Sequence, residues 1–283
     1  MILDGKKVAG EIKGRVKESA RQLYEVTGLK PTLAVILVGD DPASSIYVRN
    51  KERDCAECGI DSLVVRLPES ASEQQVLAEI YKLNVDDTIN GIMVQLPLPS
   101  HINVKRVMRN IAQHKDVDCF HPVNVGKLAG GGGRYAPCTP AGIIELLKHY
   151  DIDIAGKHCV IVGRSNIVGK PLALMMLQHN ATVTVCHSYT ENLRDICRTA
   201  DILVSAVGKR DIITADMVKR GATVIDVGIS RDEAGALCGD VDYNKVLRVA
   251  KHITPVPGGI GPMTRAMLMK NMIYAFTYNW RVE

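Results

Sequence analysis

Tyr47 and Lys51 stand four residues apart in the segment YVRNK, inside a stretch whose pattern predicts an amphipathic helix. Residues at this spacing are neighbours on one helix face. A lysine ammonium on the buried side of a helix is unfavourable unless another group uses it. A phenol and an ammonium together can move protons and orient a polar heterocycle. Taken alone, each also fits a plainer role: a lysine whose chain reaches water, and a tyrosine at the edge of a core.

Two more polar residues fall where a parallel sheet would bind a ligand. Gln95 ends the predicted strand GIMVQ (91–95), and Asp118 lies just before a segment with little periodicity. Open α/β sheets bind ligands at the carboxyl ends of their strands. With Tyr47 and Lys51, these residues form a candidate catalytic set for acid–base chemistry. A strand-end glutamine and a capping aspartate remain the plainer alternatives.

A second candidate site follows the predicted strand HCVIVG (158–163), where GRSNIVGKP leads into a helix. The dinucleotide fingerprint G-x-G-x-x-G occurs between a strand and a helix. Its glycine positions hold Gly163, Ser165 and Val168 here, with Gly169 one residue later. The free N–H groups at the start of such a helix can hold phosphate. A glycine-rich turn without a ligand is the alternative.

The next predicted strand indicates which dinucleotide would bind. NAD sites usually carry Asp or Glu at the end of this strand, bonded to the ribose 2′-hydroxyl. Here the strand ends Cys186-His187-Ser188, without a carboxylate that would repel a 2′-phosphate. Arg164 in the preceding turn could bind that phosphate through two hydrogen bonds. The pattern favours NADP over NAD.

The elements that position these residues alternate between strand-like runs and helical patterns, which predicts parallel sheets. We expect two α/β domains flanking a cleft, the second a Rossmann-type, doubly wound, mostly parallel sheet. The predicted domains are 1–138 with 265–283, and 139–264. The predicted strands cover 32–39, 62–67, 91–95, 158–163, 181–186, 200–208, 221–228 and 251–254.

Local signals predict where several elements begin and end. Ser72 and Gln75 have the spacing of a capping box. The segment 119–137, with its run of four glycines at 130–133, indicates a loop or linker between the domains. A helix is predicted to start here, with Thr139 as its N-cap and Pro140 at its first helical position. The final helix is expected to end near Trp280.

Composition excludes several classes of function. The 283 residues carry a net charge of only +4, scattered along the chain, with 4% aromatic residues. This excludes a basic stripe for nucleic acid. No apolar run reaches the roughly 18 residues of a membrane span, and the N-terminus lacks a signal core, so we expect a cytoplasmic protein.

The eight cysteines are expected to be reduced. Cys55-x-x-Cys58 has no second pair, so no metal site is predicted.

Read in order, the motifs YVRNK, VQLPLP, DVD-FHP-N-GKL, PCTPAGI, GRSNIVGKP and TPVPGGIGPMT resemble the bifunctional methylenetetrahydrofolate dehydrogenase/methenyltetrahydrofolate cyclohydrolase family. The resemblance runs from about Leu3 to the last helix. It implies NADP-dependent oxidation of 5,10-methylenetetrahydrofolate to the methenyl form, then hydrolysis to 10-formyltetrahydrofolate. It also implies a homodimer with a small-molecule folate substrate, in the short form without an attached synthetase domain.

The resemblance also implies roles for individual residues. Lys51 would carry the proton in the hydrolysis, Gln95 would bond that lysine, Tyr47 would orient the folate rings, and Asp118 would anchor the pterin. The implied cofactor contacts are Gly163, Arg164, Ser165, Ser188 and Ile229. The implied further folate contacts are Val94, Leu96, Pro255, Gly258, Gly259 and Pro262, within a folate-side loop that runs to Met263.

Two departures from the family pattern stand out. Cys119 replaces the glycine that follows D-V-D, and a cysteine there would be strained if the position needs a positive φ angle. The pterin anchor at Asp118 would then be displaced. The glycine run 130–133 suggests a mobile linker that lets the cleft open and close.

Three rival functions remain at this point. The chain could be an NADP-dependent dehydrogenase for another small substrate. It could be a dehydrogenase whose cyclohydrolase step has failed, or a non-catalytic dinucleotide sensor on the same fold. YVRNK together with VQLPLP argues against the first, and Lys51 with Gln95 argues against the last.

Overall fold

The computed structural model of the chain describes residues 1–133, 135–231 and 235–279. The described helices are α1 (Gly5–Thr27), α2 (Pro42–Cys58), α3 (Glu73–Val85), α4 (Val104–Asn110), α5 (Pro122–Ala129), α6 (Cys138–His149), α7 (Gly169–Gln178), α8 (Leu193–Cys197), α9 (Tyr243–Val246) and α10 (Ile260–Asn279), with a single 3₁₀ turn at Ala215–Met217. The described strands are β1 (Thr32–Val38), β2 (Asp61–Leu67), β3 (Gly91–Val94), β4 (His158–Val162), β5 (Thr182–Cys186), β6 (Ile202–Ser205), β7 (Thr223–Asp226), β8 (Ser230–Arg231), β9 (Leu237–Cys238) and β10 (His252–Ile253). Trp280, the predicted end of the last helix, lies outside the described residues. None of the described helices is both long and apolar enough to cross a membrane.

The chain divides into two compact units. We call 10–136 with 265–279 the three-stranded unit, and 1–9 with 137–264 the five-stranded unit. The first has the parallel strand order β2-β1-β3, and the second has β10-β7-β6-β4-β5, also parallel, with β8 and β9 as a separate antiparallel pair. The predicted α/β class with parallel sheets is therefore confirmed.

The predicted strands form because their residues are apolar on both faces, as parallel strands covered by helices require. Every residue of β3, β6 and β7 is buried, and β1 is buried after its first residue. The core of the three-stranded unit includes Ile36, Ile80 and Ile92. The capping box of α3 is also confirmed, since Ser72 and Gln75 exchange both hydrogen bonds.

The prediction of a loop over 119–137 was wrong, because α5 lies within it. The ring of His121 accepts a hydrogen bond from the N–H of Val123, and Pro122 occupies the first turn, where no N–H is needed. The glycines end this helix: Gly131 has φ +77°, and its N–H and that of Gly132 bond the carbonyls of Leu128 and Lys127. That pattern is a Schellman cap, so these glycines have a local structural role.

The predicted N-cap of α6 was also wrong. The helix begins at Cys138 with Pro137 as its N-cap, so Thr139 and Pro140 both lie in the first turn. The Thr139 hydroxyl instead pairs with the hydroxyl of Thr264 at 2.9 Å. Proline is tolerated there because the first-turn N–H groups have no partner within the helix.

The first nine residues lie in the five-stranded unit, whereas the sequence places them in the first domain. Leu3 N–H donates to the carbonyl of Ile253 at 2.8 Å, and Ile253 N–H donates to that of Met1 at 3.1 Å. The amino terminus thus extends the sheet beside β10. Local sequence patterns do not predict this long-range pairing. The division between the units falls inside α1.

A buried carboxylate joins three helices of the three-stranded unit. Asp54 in α2 is 1% exposed, and its two oxygens accept from Lys13 of α1 at 3.0 Å and from Arg265 of α10 at 2.6 Å. Both cations are themselves mostly buried. Removal of the carboxylate would take this partner from both desolvated cations, and Lys13 would keep its ion pair with the exposed Glu57.

We therefore expect Asp54→Ala to lower the free energy of unfolding by about 3 kcal/mol, the lower end of the cost of breaking a buried ion pair from one side, because Lys13 keeps Glu57 as a partner. Urea denaturation followed by circular dichroism measures this change. Glu18→Ala is the control, because Glu18 pairs with Arg21 on the exposed surface and its loss should leave the midpoint unchanged. Equal midpoints for both variants would contradict the role given to Asp54.

Candidate functional site

Helix α2 places Lys51 on its buried side. The helix starts at Asp41, whose carboxylate accepts from Ser44 N–H at 2.7 Å, and it ends at Gly59 in the left-handed conformation. Its buried stripe follows helical spacing and consists of Ser44, Val48, Cys55 and Cys58. Lys51 occupies the same stripe and is only partly exposed, as is Tyr47 one turn earlier. Lys51 therefore lies on the core-facing side of the helix, with its side chain partly buried.

Gln95 receives the Lys51 ammonium. Its side-chain oxygen accepts a hydrogen bond from Lys51 Nζ at 2.7 Å, while its amide nitrogen donates to the carbonyl of Leu96 at 2.6 Å. The second bond fixes which end of the amide faces the lysine. Gln95 N–H also bonds the carbonyl of Ile36 in β1, so the residue is held at the carboxyl edge of the sheet. Two of the predicted catalytic residues are thus in direct contact.

Asp118 lies near the same edge, held by a residue whose role the sequence did not reveal. Asp116 pairs with Ile92 of β3 in a parallel bridge, so Asp118, two residues on, lies near the carboxyl end of that strand. The buried Asp116 carboxylate accepts from the N–H groups of Phe120 and His121 and from the side chain of Asn124. Burial raises the pKa of Asp116. This network fixes the backbone that carries Asp118.

Cys119 has φ +61°, so the position after Asp118 does need the left-handed conformation. A side chain there is strained by about 1–3 kcal/mol. The thiol is fully buried and lies 3.5 Å from the carbonyl of Tyr135. Burial raises its pKa to about 12, so it stays a neutral thiol. Packing and the contact with Tyr135 offset part of the strain.

In the five-stranded unit, the predicted phosphate turn follows β4, the strand from which the strand order continues outward in both directions. Strand β4 has β5 on one side and β6 on the other, and dinucleotides bind at the carboxyl edge of such a switch point. Gly163 has φ +124°, and a Cβ on it would approach the carbonyl oxygen of Ala206 to 2.5 Å. A Cβ on Gly169 would approach the carbonyl oxygen of Gly163 to 2.1 Å. Both positions therefore require glycine.

The turn presents the groups expected of an NADP site. The Ser165 hydroxyl accepts from the N–H groups of Val168 and Gly169 at the start of α7. The Arg164 guanidinium lies 5.6 Å from the ring centre of Tyr189, and Ser188 precedes that tyrosine. Arg164, Ser188 and Tyr189 are all exposed at this edge. The residues present fit a 2′-phosphorylated dinucleotide, with Arg164 against Tyr189, the residue that follows Ser188.

Tyr189 was missed by the sequence analysis. Its 81% exposure is unusual for a tyrosine, and its only signal was its place next to Ser188. Stacking against Arg164 holds the guanidinium at this edge through a cation–π contact. Ile229 is 47% exposed and follows β7 at the same edge of the sheet.

The folate-side loop of the resemblance, Pro255 to Met263, lies in the five-stranded unit. Gly258 has φ +109°, and its carbonyl accepts from Lys6 N–H at 2.9 Å. A Cβ on Gly259 would approach the carbonyl oxygen of Pro255 to 2.6 Å. Pro262 lies in the first turn of α10. The loop is therefore packed against the amino-terminal segment.

Across residues 1–133, 135–231 and 235–279, no group of three or more His, Cys, Asp and Glu side chains is arranged to hold a metal ion. Cys55 and Cys58 are buried, and burial raises the pKa of each thiol to about 12.

Comparisons with known proteins agree with this pair of sites. Family models match residues 3–118, described as "Tetrahydrofolate dehydrogenase/cyclohydrolase, catalytic domain", and 137–280, described as its "NAD(P)-binding domain". The "Bifunctional protein FolD" of Caldicellulosiruptor saccharolyticus is 58% identical over 272 residues, which cover 95% of this chain and 97% of that protein.

Two solved structures extend the similarity. The bifunctional FolD methylenetetrahydrofolate dehydrogenase/cyclohydrolase of Campylobacter jejuni is 48% identical, with a TM-score of 0.96 over 98% of this chain and 99% of that one. The Trypanosoma brucei enzyme, solved with NADP cofactor and an inhibitor, is 38% identical, with a TM-score of 0.95 over 100% and 99%. With both family models matched and such relatives covering nearly its full length, the chain belongs to the tetrahydrofolate dehydrogenase/cyclohydrolase family.

Proposed function

We propose that this chain oxidises 5,10-methylenetetrahydrofolate with NADP⁺ and then hydrolyses the methenyl product to 10-formyltetrahydrofolate. The observation that carries the proposal is the Lys51 ammonium, held at the carboxyl edge of a parallel sheet by the side-chain oxygen of Gln95. A partly buried lysine with a fixed hydrogen-bond partner and a tyrosine one turn away is suited to move a proton beside a folate ring.

Hydrolysis needs both a base and an acid, and Lys51 is proposed to serve as both. Water adds to the methenyl carbon and gives up a proton, and the bond from that carbon to N5 then breaks as N5 gains a proton. In this step Lys51 accepts the proton of the water as the neutral amine and then returns it to N5 as the ammonium. Gln95 orients Nζ through the hydrogen bond that its side-chain oxygen accepts.

The oxidation depends mainly on position. When bound, NADP⁺ accepts a hydride from the methylene carbon. Tyr47 is proposed to pack on the folate rings, Val94 and Leu96 to line them, and Asp118 to bond the pterin edge. Pro255, Gly258, Gly259 and Pro262 of the folate-side loop are proposed as further folate contacts. These residues orient the substrate and do not react with it. Hydride transfer therefore needs little acid–base catalysis by side chains.

An absorbance assay with methylenetetrahydrofolate and either NADP⁺ or NAD⁺, followed by an acid quench, tests the proposal. Acid recloses the formyl product to the methenyl form. We expect NADPH formation with additional methenyl absorbance after acid. NADPH formation without that additional absorbance would indicate a failed cyclohydrolase step, for which Cys119 is the structural candidate. Reduction of neither nucleotide would overturn the proposal in favour of a sensor.

We expect Lys51→Met to abolish methenyltetrahydrofolate hydrolysis and to reduce the dehydrogenase step less, because only hydrolysis requires the proton carrier. Stopped assays of each half-reaction measure the two rates. Arg49→Met is the matched control, since Arg49 is an exposed cation on the same helix. Hydrolysis at the wild-type rate in Lys51→Met would remove Lys51 from its proposed role.

We expect Arg164→Ala to raise the KM for NADP⁺ about tenfold or more, the loss of a charge-assisted contact to the 2′-phosphate. The KM for NAD⁺ should change much less, because NAD⁺ has no such phosphate. Steady-state kinetics with both nucleotides measure the difference. Arg194→Ala is the control, because it removes an exposed cation of α8 that pairs with Asp216 in the 3₁₀ turn. An equal change in both KM values would contradict the assignment.

We further propose that the protein acts as a homodimer in the cytoplasm. The resemblance implies the dimer, and sedimentation velocity should then give twice the chain mass of 30.9 kDa. All eight cysteines are free thiols, seven of them buried, which agrees with a reducing compartment.

A further inference from the structure

Two buried carboxylates lie at the carboxyl edge of the five-stranded sheet, and neither belongs to the sites described above. Asp226 is the last residue of β7 and is 3% exposed, and Asp240 is fully buried. Burial of a carboxylate is costly unless its oxygens accept hydrogen bonds. Their partners therefore show what they hold in place.

Asp240 holds the loop that follows β6. One oxygen accepts from the Ser205 hydroxyl at 2.9 Å and from Val207 N–H at 2.8 Å, and the other accepts from Lys209 N–H at 2.8 Å. The same loop contains Ala206. The carbonyl oxygen of Ala206 lies nearest to the position that a Cβ on Gly163, the glycine of the phosphate turn, would occupy. Asp240 thus fixes the wall against which the phosphate turn rests.

Asp226 holds the turn that follows β7. One oxygen accepts from the N–H groups of Gly228 at 3.0 Å and Asp240 at 2.9 Å, and the other accepts from Val241 N–H at 3.0 Å. Gly228 immediately precedes Ile229, one of the cofactor contacts that the family resemblance implies. Asp226 therefore sets the path of the backbone into Ile229.

The fit around these two carboxylates leaves no spare room. A Cβ on Gly228 would lie 2.0 Å from an oxygen of Asp240, and a Cβ on Gly239 would lie 2.0 Å from an oxygen of Asp226. Each carboxylate packs against a glycine whose missing side chain makes space for it. Burial raises the pKa of Asp226 to about 6, although three N–H groups favour its charged form.

We propose that Asp226 and Asp240 are positioning residues for NADP. Together they bind six donors and fix two loops, 206–209 and 227–229, at the edge where a dinucleotide binds in this fold. They act through these loops and do not touch the reacting atoms. The inference rests on the proposed placement of the cofactor at this edge.

Asp240→Asn and Asp226→Asn test the proposal. Asparagine keeps the shape but replaces one acceptor oxygen with an NH₂ group, which meets backbone N–H donors and displaces the loop. We expect the Kd for NADP⁺, measured by isothermal titration well below each melting temperature, to rise about tenfold. The KM for NADP⁺ should rise with it, while that for methylenetetrahydrofolate stays unchanged. Ser205→Ala removes a single donor and should raise the Kd two- to threefold, which keeps the test open if an asparagine variant fails to fold.

Thr223→Ala is the matched control. Thr223 is buried at the amino end of β7, the strand that ends in Asp226, and its hydroxyl pairs with the ring of His252. We expect a lower melting temperature with an unchanged Kd for NADP⁺. A wild-type Kd in the aspartate and Ser205 variants, or an equal rise in Thr223→Ala, would overturn the positioning role. Failure of the wild-type chain to bind NADP⁺ would instead overturn the proposed cofactor site.

Discussion

The hydrogen bond from Lys51 to Gln95 links the chemistry of the chain to its packing. Val48 and Cys55 must face the core, and helical spacing puts Lys51 on the stripe between them. An ammonium in that position requires an acceptor, and the structure supplies one at the end of β3. Gln95 can serve because β3 ends at Val94 and because its amide nitrogen is already bound to Leu96. The position of the proton carrier is therefore set by the strand end as much as by its own helix.

A second constraint is that loops at the carboxyl edges of parallel strands have backbone N–H groups without a ladder partner. Asp116, Asp226 and Asp240 satisfy these groups, and each accepts at least two main-chain hydrogen bonds. A carboxylate can bind several donors from different directions, so it fixes irregular backbone where sheet pairing has ended. The cost is desolvation, which is seen in the raised pKa values of Asp116 and Asp226. Both units thus use the same device to hold the loops around their proposed ligands.

Much of the fold could be predicted from the sequence because parallel strands are continuous apolar runs bounded by turn residues. The errors fell where local signals were weak or partners were distant. Helix α5 is only eight residues long, contains Gly126 and has a histidine as its N-cap, so it lacked the usual pattern. The pairing of Leu3 with Ile253 spans the whole chain. Lys51 and Gln95 could be inferred from spacing and strand ends, whereas Asp116, Asp226 and Asp240 could not, because their role lies in backbone contacts that only the folded chain creates.

The degenerate glycine pattern of the phosphate turn follows from the same reasoning. A fingerprint glycine is needed only where a Cβ would strike the backbone or where φ is positive, and Gly163 and Gly169 meet those conditions. The middle position does not, so Ser165 can stand there and use its hydroxyl to accept from the first N–H groups of α7. The third requirement, close helix–strand packing, has moved one residue along the chain to Gly169. A sequence that departs from the consensus can therefore keep the backbone packing of the turn, provided that glycine remains at the positions where the backbones touch.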